Sequence, residues 1–308
     1  MTKAPDSIGS VPDTRCEARY RIRGLARQRC ALPAGHLDPR HMSGRVRWDS
    51  DAGGSGVLRT LFLDIETFPN LVYTWGLHNQ DVGVSQVVQA TRVACFAARF
   101  LGESEIKFHR DTPGSGPHQL AHAAWQLLDD ADIIVHYNGA RFDIPHLNRL
   151  ILQAGLPPPS PFRQIDLLSA VRRKFRFPSN SLRFVSQELG LGSKVPHDGF
   201  DLWVRCMAGD SAAWRLMEKY NKQDVVLTED LYHFLLPWIP GHPAHSAHPS
   251  QDTGGTDGGT CPTCTRGVLH PRGTYRTRAS VYYQWRCNVC YAWFRSTKRT
   301  GGATAIGV

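Results

Sequence analysis

No stretch of this chain approaches the roughly 18 consecutive apolar residues that a membrane-spanning helix needs, and its N-terminal segment lacks the apolar core of a secretory signal. A soluble, cytoplasmic protein is expected. Cysteine is scarce where a disulfide scaffold would place it. Of eight Cys, six fall in the two terminal segments at metal-like spacings, whereas Cys95 and Cys206 stand alone in apolar sequence and read as small buried residues. This favours thiolate ligands in a reducing compartment over disulfides. Acid is missing from one end, since residues 265–308 hold eight Lys and Arg and no Asp or Glu. No internal repeat is visible.

The formal net charge of +9 is carried by the ends. Residues 1–49 hold ten basic and five acidic residues, and residues 57–240 hold 18 basic and 19 acidic. Positive flanks around a near-neutral body suit a polyanionic partner, with nucleic acid the first candidate. Four zones follow: a basic Cys/His segment at 1–49, a body at 57–240, a Pro/Gly/Ser/His-rich linker at 241–260 expected to be flexible, and a cysteine-bearing tail at 261–300. In the body, TLFLDIETF, LVYTWGLH, TRVACFAARF and IKFHR read as strands, and HQLAHAAWQLLDDA reads as a helix before the buried strand DIIVHYNG. FDIPHLNRLILQAG, SLRFVSQELG, SAAWRLMEKYNKQD and VVLTEDLYHFLL read as four further helices. Strands first, then alternation, indicate an α/β layer with a mixed sheet.

Asp64 and Glu66 interrupt the first strand. Two residues apart on a strand, they share a face while Leu63 and Ile65 share the other. Paired anions at a half-buried position call for a compensating cation, and a hard divalent ion with oxygen ligands is the usual one. Asp143 arrives five residues after Asn138, at the start of a helix. Tyr220 and Asp224 lie at i and i+4, on one helical face.

The order DIET, YNGARFD, YNKQD resembles the three motifs of the DEDD (DnaQ-like, RNase H-fold) 3′-to-5′ exonucleases, over about 180 residues. The Asn138-to-Phe142-Asp143 pattern is similar to the proofreading domains of family B DNA polymerases and to stand-alone phage-type exonucleases. Tyr220 marks the tyrosine subclass, because Lys219 stands where the histidine subclass has its His. The resemblance implies an RNase H-like mixed sheet flanked by helices. It also implies two Mg²⁺ or Mn²⁺ ions: Asp64 bridging both, Glu66 and Asp224 on the nucleophile side, Asp143 on the leaving-group side, and Tyr220 orienting the water. The implied activity is 3′-to-5′ hydrolysis of single-stranded DNA, in the host cytoplasm if the enzyme is phage-encoded. With no room for polymerase subdomains, any proofreading or processing would act in trans. An exoribonuclease on the same fold, and a non-catalytic nucleic-acid-binding adaptor, stay open as alternatives.

Around these motifs, Asn138 reads equally as a turn former and as a substrate contact, with Phe142 beside it. Asp166 reads as a helix N-cap and His136 as a satisfied core histidine. VRRKFRFPSN offers Arg172, Arg173, Lys174, Arg176, Ser179 and Asn180 for phosphates and Phe175 and Phe177 for stacking on unpaired bases. Cys261, Cys264, Cys287 and Cys290 form two CxxC knuckles separated by 22 residues, a strong signal for structural Zn²⁺ in a small ribbon. The aromatic and basic residues between and after them suit nucleic acid, and the ribbon is also a candidate contact for a replication or recombination protein. Cys16, Cys30, His36 and His41 are spaced more widely. CALPAGHLDPRH resembles a small Cys/His segment of actinobacterial and phage proteins, which implies a second zinc; the rival is a basic arm with incidental thiols.

Overall fold

The structure, a computed structural model, describes residues 58–112, 116–239, 241–243, 259–277 and 279–302, together with the backbones of four short strands nearer the N-terminus. Two compact units are distinguished, Met1–Val57 and Leu58–Val308. The first contains β1 (Arg19–Tyr20) paired antiparallel with β2 (Gln28–Arg29), and β3 (Arg40–Ser43) paired antiparallel with β4 (Val46–Asp49).

The second unit begins with β5 (Thr60–Phe68), the short pair β6 (Leu71–Val72) and β7 (Val87–Gln89), then β8 (Arg92–Phe100) and β9 (Lys107–Arg110). Helix α1 (Gly116–Asp130), β10 (Ile133–His136), α2 (Asp143–Gln153) and β11 (Arg163–Asp166) follow. Helices α3 (Leu167–Lys174), α4 (Leu182–Glu188), α5 (Asp201–Met207) and α6 (Ser211–Leu235) complete the body. The main sheet has the order β11-β10-β5-β8-β9. β10 runs parallel to β5 and β11, while β8 and β9 run antiparallel to their neighbours. The mixed α/β sheet flanked by helices is the architecture the residue pattern implied.

Because β5 is the middle strand, both of its faces are covered. Leu61, Leu63 and Ile65 join α1 and α2 through Leu120, Leu128, Leu147 and Ile151. Phe62 joins the opposite core with Val171, Val185, Val225, Leu231 and Tyr232, from α3, α4 and α6. A third cluster seats Phe68 and Cys95 against Leu202, Cys206, Trp214 and Met217, so both solitary cysteines are buried in apolar packing.

Two readings of the sequence need correction. LVYTWGLH forms a strand at Leu71–Val72 alone, extended by one backbone bond from Tyr73 N to the Gln86 carbonyl, and the side chains of Tyr73, Trp75 and Leu77 stand in solvent, with Trp75 100% exposed. Their apolar character marks a strand in the sequence, but among the described residues no second layer covers them. The two helices read on either side of Asp224 are a single helix of 25 residues. Nothing between Ser211 and Leu235 is Gly or Pro, so no residue ends it. Asp210 caps it by accepting from Ala212 N and Ala213 N at 2.7 and 3.3 Å.

The tail forms β12 (Leu269–Arg276) and β13 (Ser280–Cys287) as an antiparallel hairpin, with β14 (Trp293–Arg295) and β15 (Gly301–Gly302) paired to β13. Cys264 and Cys290 pack against the core that contains Tyr232 and Leu236.

Phe62 is fully buried and meets Tyr232 edge-on at 5.3 Å between ring centroids. Phe62→Ala is therefore expected to destabilise the protein by about 3–5 kcal/mol, read as a lower urea midpoint at unchanged slope.

Candidate active site

Alternation along β5 decides where its carboxylates point. Asp64 and Glu66 share the Phe62 face, which is the face α6 covers. α6 carries Tyr220 and Asp224 one turn apart on its inner side, both buried. The carboxylate oxygens of Asp64, Glu66 and Asp224 consequently lie within 4.8 Å of one another. Asp143, the first residue of α2, approaches the same strand, and its Oδ1 accepts a hydrogen bond from Ile65 N at 3.0 Å. The structure thus gathers all four acids around the middle of β5.

Such a cluster resists ionisation. Burial, then the repulsion of Asp224, Asp143 and Glu66, holds the Asp64 carboxyl well above its usual range. Burial and Asp224 push Glu66 up to about 8. Asp143 is pushed up to about 7 by burial, against hydrogen bonds from backbone N–H groups that favour its charge. Asp224 is raised by burial as well, although Lys194 opposes the shift.

Lys194 was not foreseen. From the segment between α4 and α5 its Nζ donates to Asp224 Oδ2 at 2.5 Å and to the Tyr220 hydroxyl at 3.1 Å. Asn221, also unforeseen, donates from Nδ2 to Asp64 Oδ2 at 2.6 Å and to the Asp64 carbonyl at 3.2 Å. The Trp203 side chain hydrogen-bonds Glu66. Asn221 precedes Asp224 by three residues, a helical-face spacing that could have signalled it. Lys194 lies in an irregular segment and is brought in only by tertiary folding.

The donor set fits a hard divalent ion. Three carboxylates converge, and Asp224 Oδ1 is buried without a hydrogen-bond partner, an orphaned acceptor that a cation would satisfy. Among the described residues Lys194 is the ammonium paired with the cluster, and once all four acids ionise it leaves the local charge negative.

A family model described as the RNase H superfamily matches residues 61–236. The chain belongs to the RNase H superfamily. No curated protein matches it. Among solved structures, the family B DNA polymerase of the hyperthermophilic archaeon Pyrobaculum calidifontis is similar at 18% identity and a TM-score of 0.42. The match covers 58% of this chain and 25% of that one, so the chain spans about a quarter of the polymerase's length.

Other residues of this RNase H-like body take the following places. Asn138 adopts a left-handed φ of 70°, donates its N–H to Asp166 Oδ1 at 3.0 Å, and its carbonyl accepts from Arg141 N and Phe142 N. It forms the turn that delivers Asp143. Gly139 is required there, since a Cβ would come within 2.4 Å of the His136 ring. His136 is fully buried and paired with Gln164, and Asp166 caps α3 through Leu168 N and Ser169 N, both as read from sequence. Phe142 is partly exposed beside the turn. Arg172, Arg173 and Lys174 are exposed in the last turn of α3, where cations suit the helix C-terminus. Arg176 donates to the carbonyls of Arg172 and Phe175 instead of standing free. Ser179 donates to Ser181 Oγ, the cap of α4, and the Asn180 carbonyl accepts from the Tyr137 hydroxyl. Phe175 and Phe177 are half-buried, packing on each other and against the core, which leaves only part of each ring for the stacking read from sequence.

In the tail, Cys261, Cys264, Cys287 and Cys290 bring their sulfurs within 4.8 Å of one another. Cys261–Cys290 and Cys264–Cys287 are each 3.7 Å apart. A tetrahedron with zinc–sulfur bonds of about 2.3 Å has edges of about 3.8 Å, so the set has the dimensions of a Zn²⁺ site. Burial raises the Cys287 thiol, but N–H donors from Cys290 and Val289 outweigh it and bring it down to about 7. Cys16, Cys30 and His36 lie outside the described residues, and of His41 only its place on β3 is described.

Acids whose folded pKa is raised cost stability once they ionise, so without added divalent ions the melting temperature falls as pH rises from about 4 to about 8. Mn²⁺ replaces the protons and raises the melting temperature more near pH 8 than near pH 6, measurable by differential scanning fluorimetry. Metal analysis of the purified protein should show that Cys264→Ser and Cys287→Ser each remove one zinc per chain relative to the parent.

Proposed function

We propose that this chain is a metal-dependent 3′-to-5′ exonuclease of the tyrosine subclass, hydrolysing single-stranded DNA. One observation carries the reading: β5 and α6 converge Asp64, Glu66 and Asp224 to within 4.8 Å, with Asp143 bound to the same strand. Membership of the RNase H superfamily supports a nuclease. Polarity and subclass rest on the resemblance of the three motifs and on the place of Tyr220.

Asp64, Glu66, Asp224 and Asp143 would hold Mg²⁺ or Mn²⁺, and all-oxygen ligation suits those ions. The ions supply the charge neutralisation and water activation that phosphodiester hydrolysis needs. Asn221 donates to the Asp64 carboxylate and so fixes its orientation within the acid cluster, where it would help hold the metal. Burial and the Asp224 charge push Tyr220 up to about 12, so it stays protonated at neutral pH and acts as a donor. Its oxygen accepts from Lys194 and its hydroxyl also hydrogen-bonds the Asp224 carboxylate, so the phenol is held at the acid cluster, where it would orient a water or a phosphate oxygen once Asp224 binds metal. The Tyr220 ring is held by edge contacts with His197 and Trp203 at 4.9 and 6.2 Å. The 261–300 tail is a zinc ribbon appended to residues 57–240, which act as the catalytic body.

The test uses 5′-labelled single-stranded DNA, duplex DNA and RNA with Mg²⁺ or Mn²⁺. A ladder shortening from the 3′ end is expected on single-stranded DNA. Asp64→Ala and Asp143→Ala abolish it, and Tyr220→Phe lowers kcat by about 10²–10³-fold, in the range for loss of one positioned donor. A stronger ladder on RNA would make the enzyme an exoribonuclease, and inactivity on every substrate would leave a binding adaptor.

A further inference from the structure

The tail presents a second feature that hydrolysis does not use. Along β13, Tyr282, Gln284 and Arg286 alternate onto one face of the ribbon. Their cross-strand partners on that face are Tyr275 on β12, opposite Tyr282, and Arg295 and Trp293 on β14, opposite Gln284 and Arg286. Register and ring geometry agree. The Arg295 guanidinium lies 4.2 Å from the Tyr282 ring centroid and 5.8 Å from that of Tyr275. Arg286 lies 4.9 Å from the ring of Tyr291 and 5.7 Å from that of Trp293. Two aromatic–arginine–aromatic groups therefore sit side by side on one sheet face.

A small core does not account for these rings. Tyr275, Tyr291 and Trp293 are 44%, 54% and 52% exposed. Among the described residues neither Arg286 nor Arg295 has an ion-pair partner, and residues 265–308 contain no Asp or Glu. Arg286 Nε is buried without a hydrogen-bond partner. A guanidinium beside ring faces is weakly hydrated and keeps N–H groups for an acceptor. The occupant that matches exposed π-faces alternating with unpaired guanidinium charge is a strand whose bases are unstacked and whose backbone is anionic. An acidic protein segment would use the charges and leave the rings idle. Duplex DNA would meet the charges but keep its base faces covered.

We propose that this face of the ribbon is a binding platform for single-stranded nucleic acid, stacking bases on Tyr275, Tyr291 and Trp293 and pairing phosphates with Arg286 and Arg295. It is separate from the acidic cluster and stands whether or not that cluster cuts. A strand held here gives the chain a grip on substrate that persists between hydrolytic events.

The experiment is fluorescence anisotropy of a labelled oligo-dT with the full chain carrying Asp64→Ala, without added divalent ions, alongside a duplex of equal length. Trp293→Ala and Tyr275→Ala are each expected to weaken oligo-dT binding by about tenfold, the scale of one lost stacking contact. Trp293→Phe should retain binding, and Arg295→Gln should reduce the salt slope by about one ion. Zinc content is measured for each variant, and because Trp293 and Tyr275 belong to different groups, misfolding of one variant leaves the other as a test. Binding within twofold of the parent for zinc-retaining Trp293→Ala and Tyr275→Ala overturns the proposal, as does a preference for duplex. Loss of binding in these variants upholds it even if no nuclease activity is ever detected.

Discussion

Everything in the body is arranged around the cost of bringing carboxylates together on a covered strand. Asp64 and Glu66 lie on β5, the middle of five strands, and α6 adds Asp224 on the same face. Anions that close, away from bulk water, repel one another and lose hydration, which is why Asp64, Glu66, Asp143 and Asp224 are all pushed toward their protonated forms. A fold that keeps four such groups is one that a cation would stabilise. Lys194 supplies one positive charge through Asp224, and the balance is a site shaped for divalent metal.

The rest of the body makes that convergence rigid. β5 is clamped between α1 and α2 on one side and α6 on the other, so neither face can shift without opening a core. α6 is the long member of the arrangement. Its uninterrupted course places Tyr220, Asn221 and Asp224 against β5, and Val225, Leu231, Tyr232 and Leu235 against the second core. The Asn138 turn, held by Asp166 and made possible by Gly139, hands Asp143 to the strand from the opposite direction. Glu229 of α6 pairs with Arg99 of β8, a further tie between helix and sheet.

Much of this was legible in the residues. Acids two apart on an apolar strand, and Tyr220 four before Asp224, are periodic signals, and periodicity survives in sequence. The two CxxC knuckles were equally plain, because chelation by turns is local. What could not be read was nonlocal. Lys194 and Trp203 reach the acids from elements separated from them by loops, and no spacing announces that. Tyr73, Trp75 and Leu77 misled in the other direction, since apolar side chains mark a strand only where a second layer exists to cover them. Phe175 and Phe177, interleaved with basic residues, had the composition of a nucleic-acid surface but packed half-buried against the core. The comparable pattern on the ribbon kept Tyr275, Tyr283, Tyr291 and Trp293 in solvent, where the sheet is too small to bury them.

Anomalous diffraction from crystals soaked in Mn²⁺ tests most directly for divalent metal at the junction of β5 and α6. A manganese peak bonded to Asp64, Glu66 and Asp224 is expected, with Lys194 drawn away from Asp224 Oδ2. A map with no manganese among these carboxylates and the Lys194–Asp224 pair intact would contradict a metal site there.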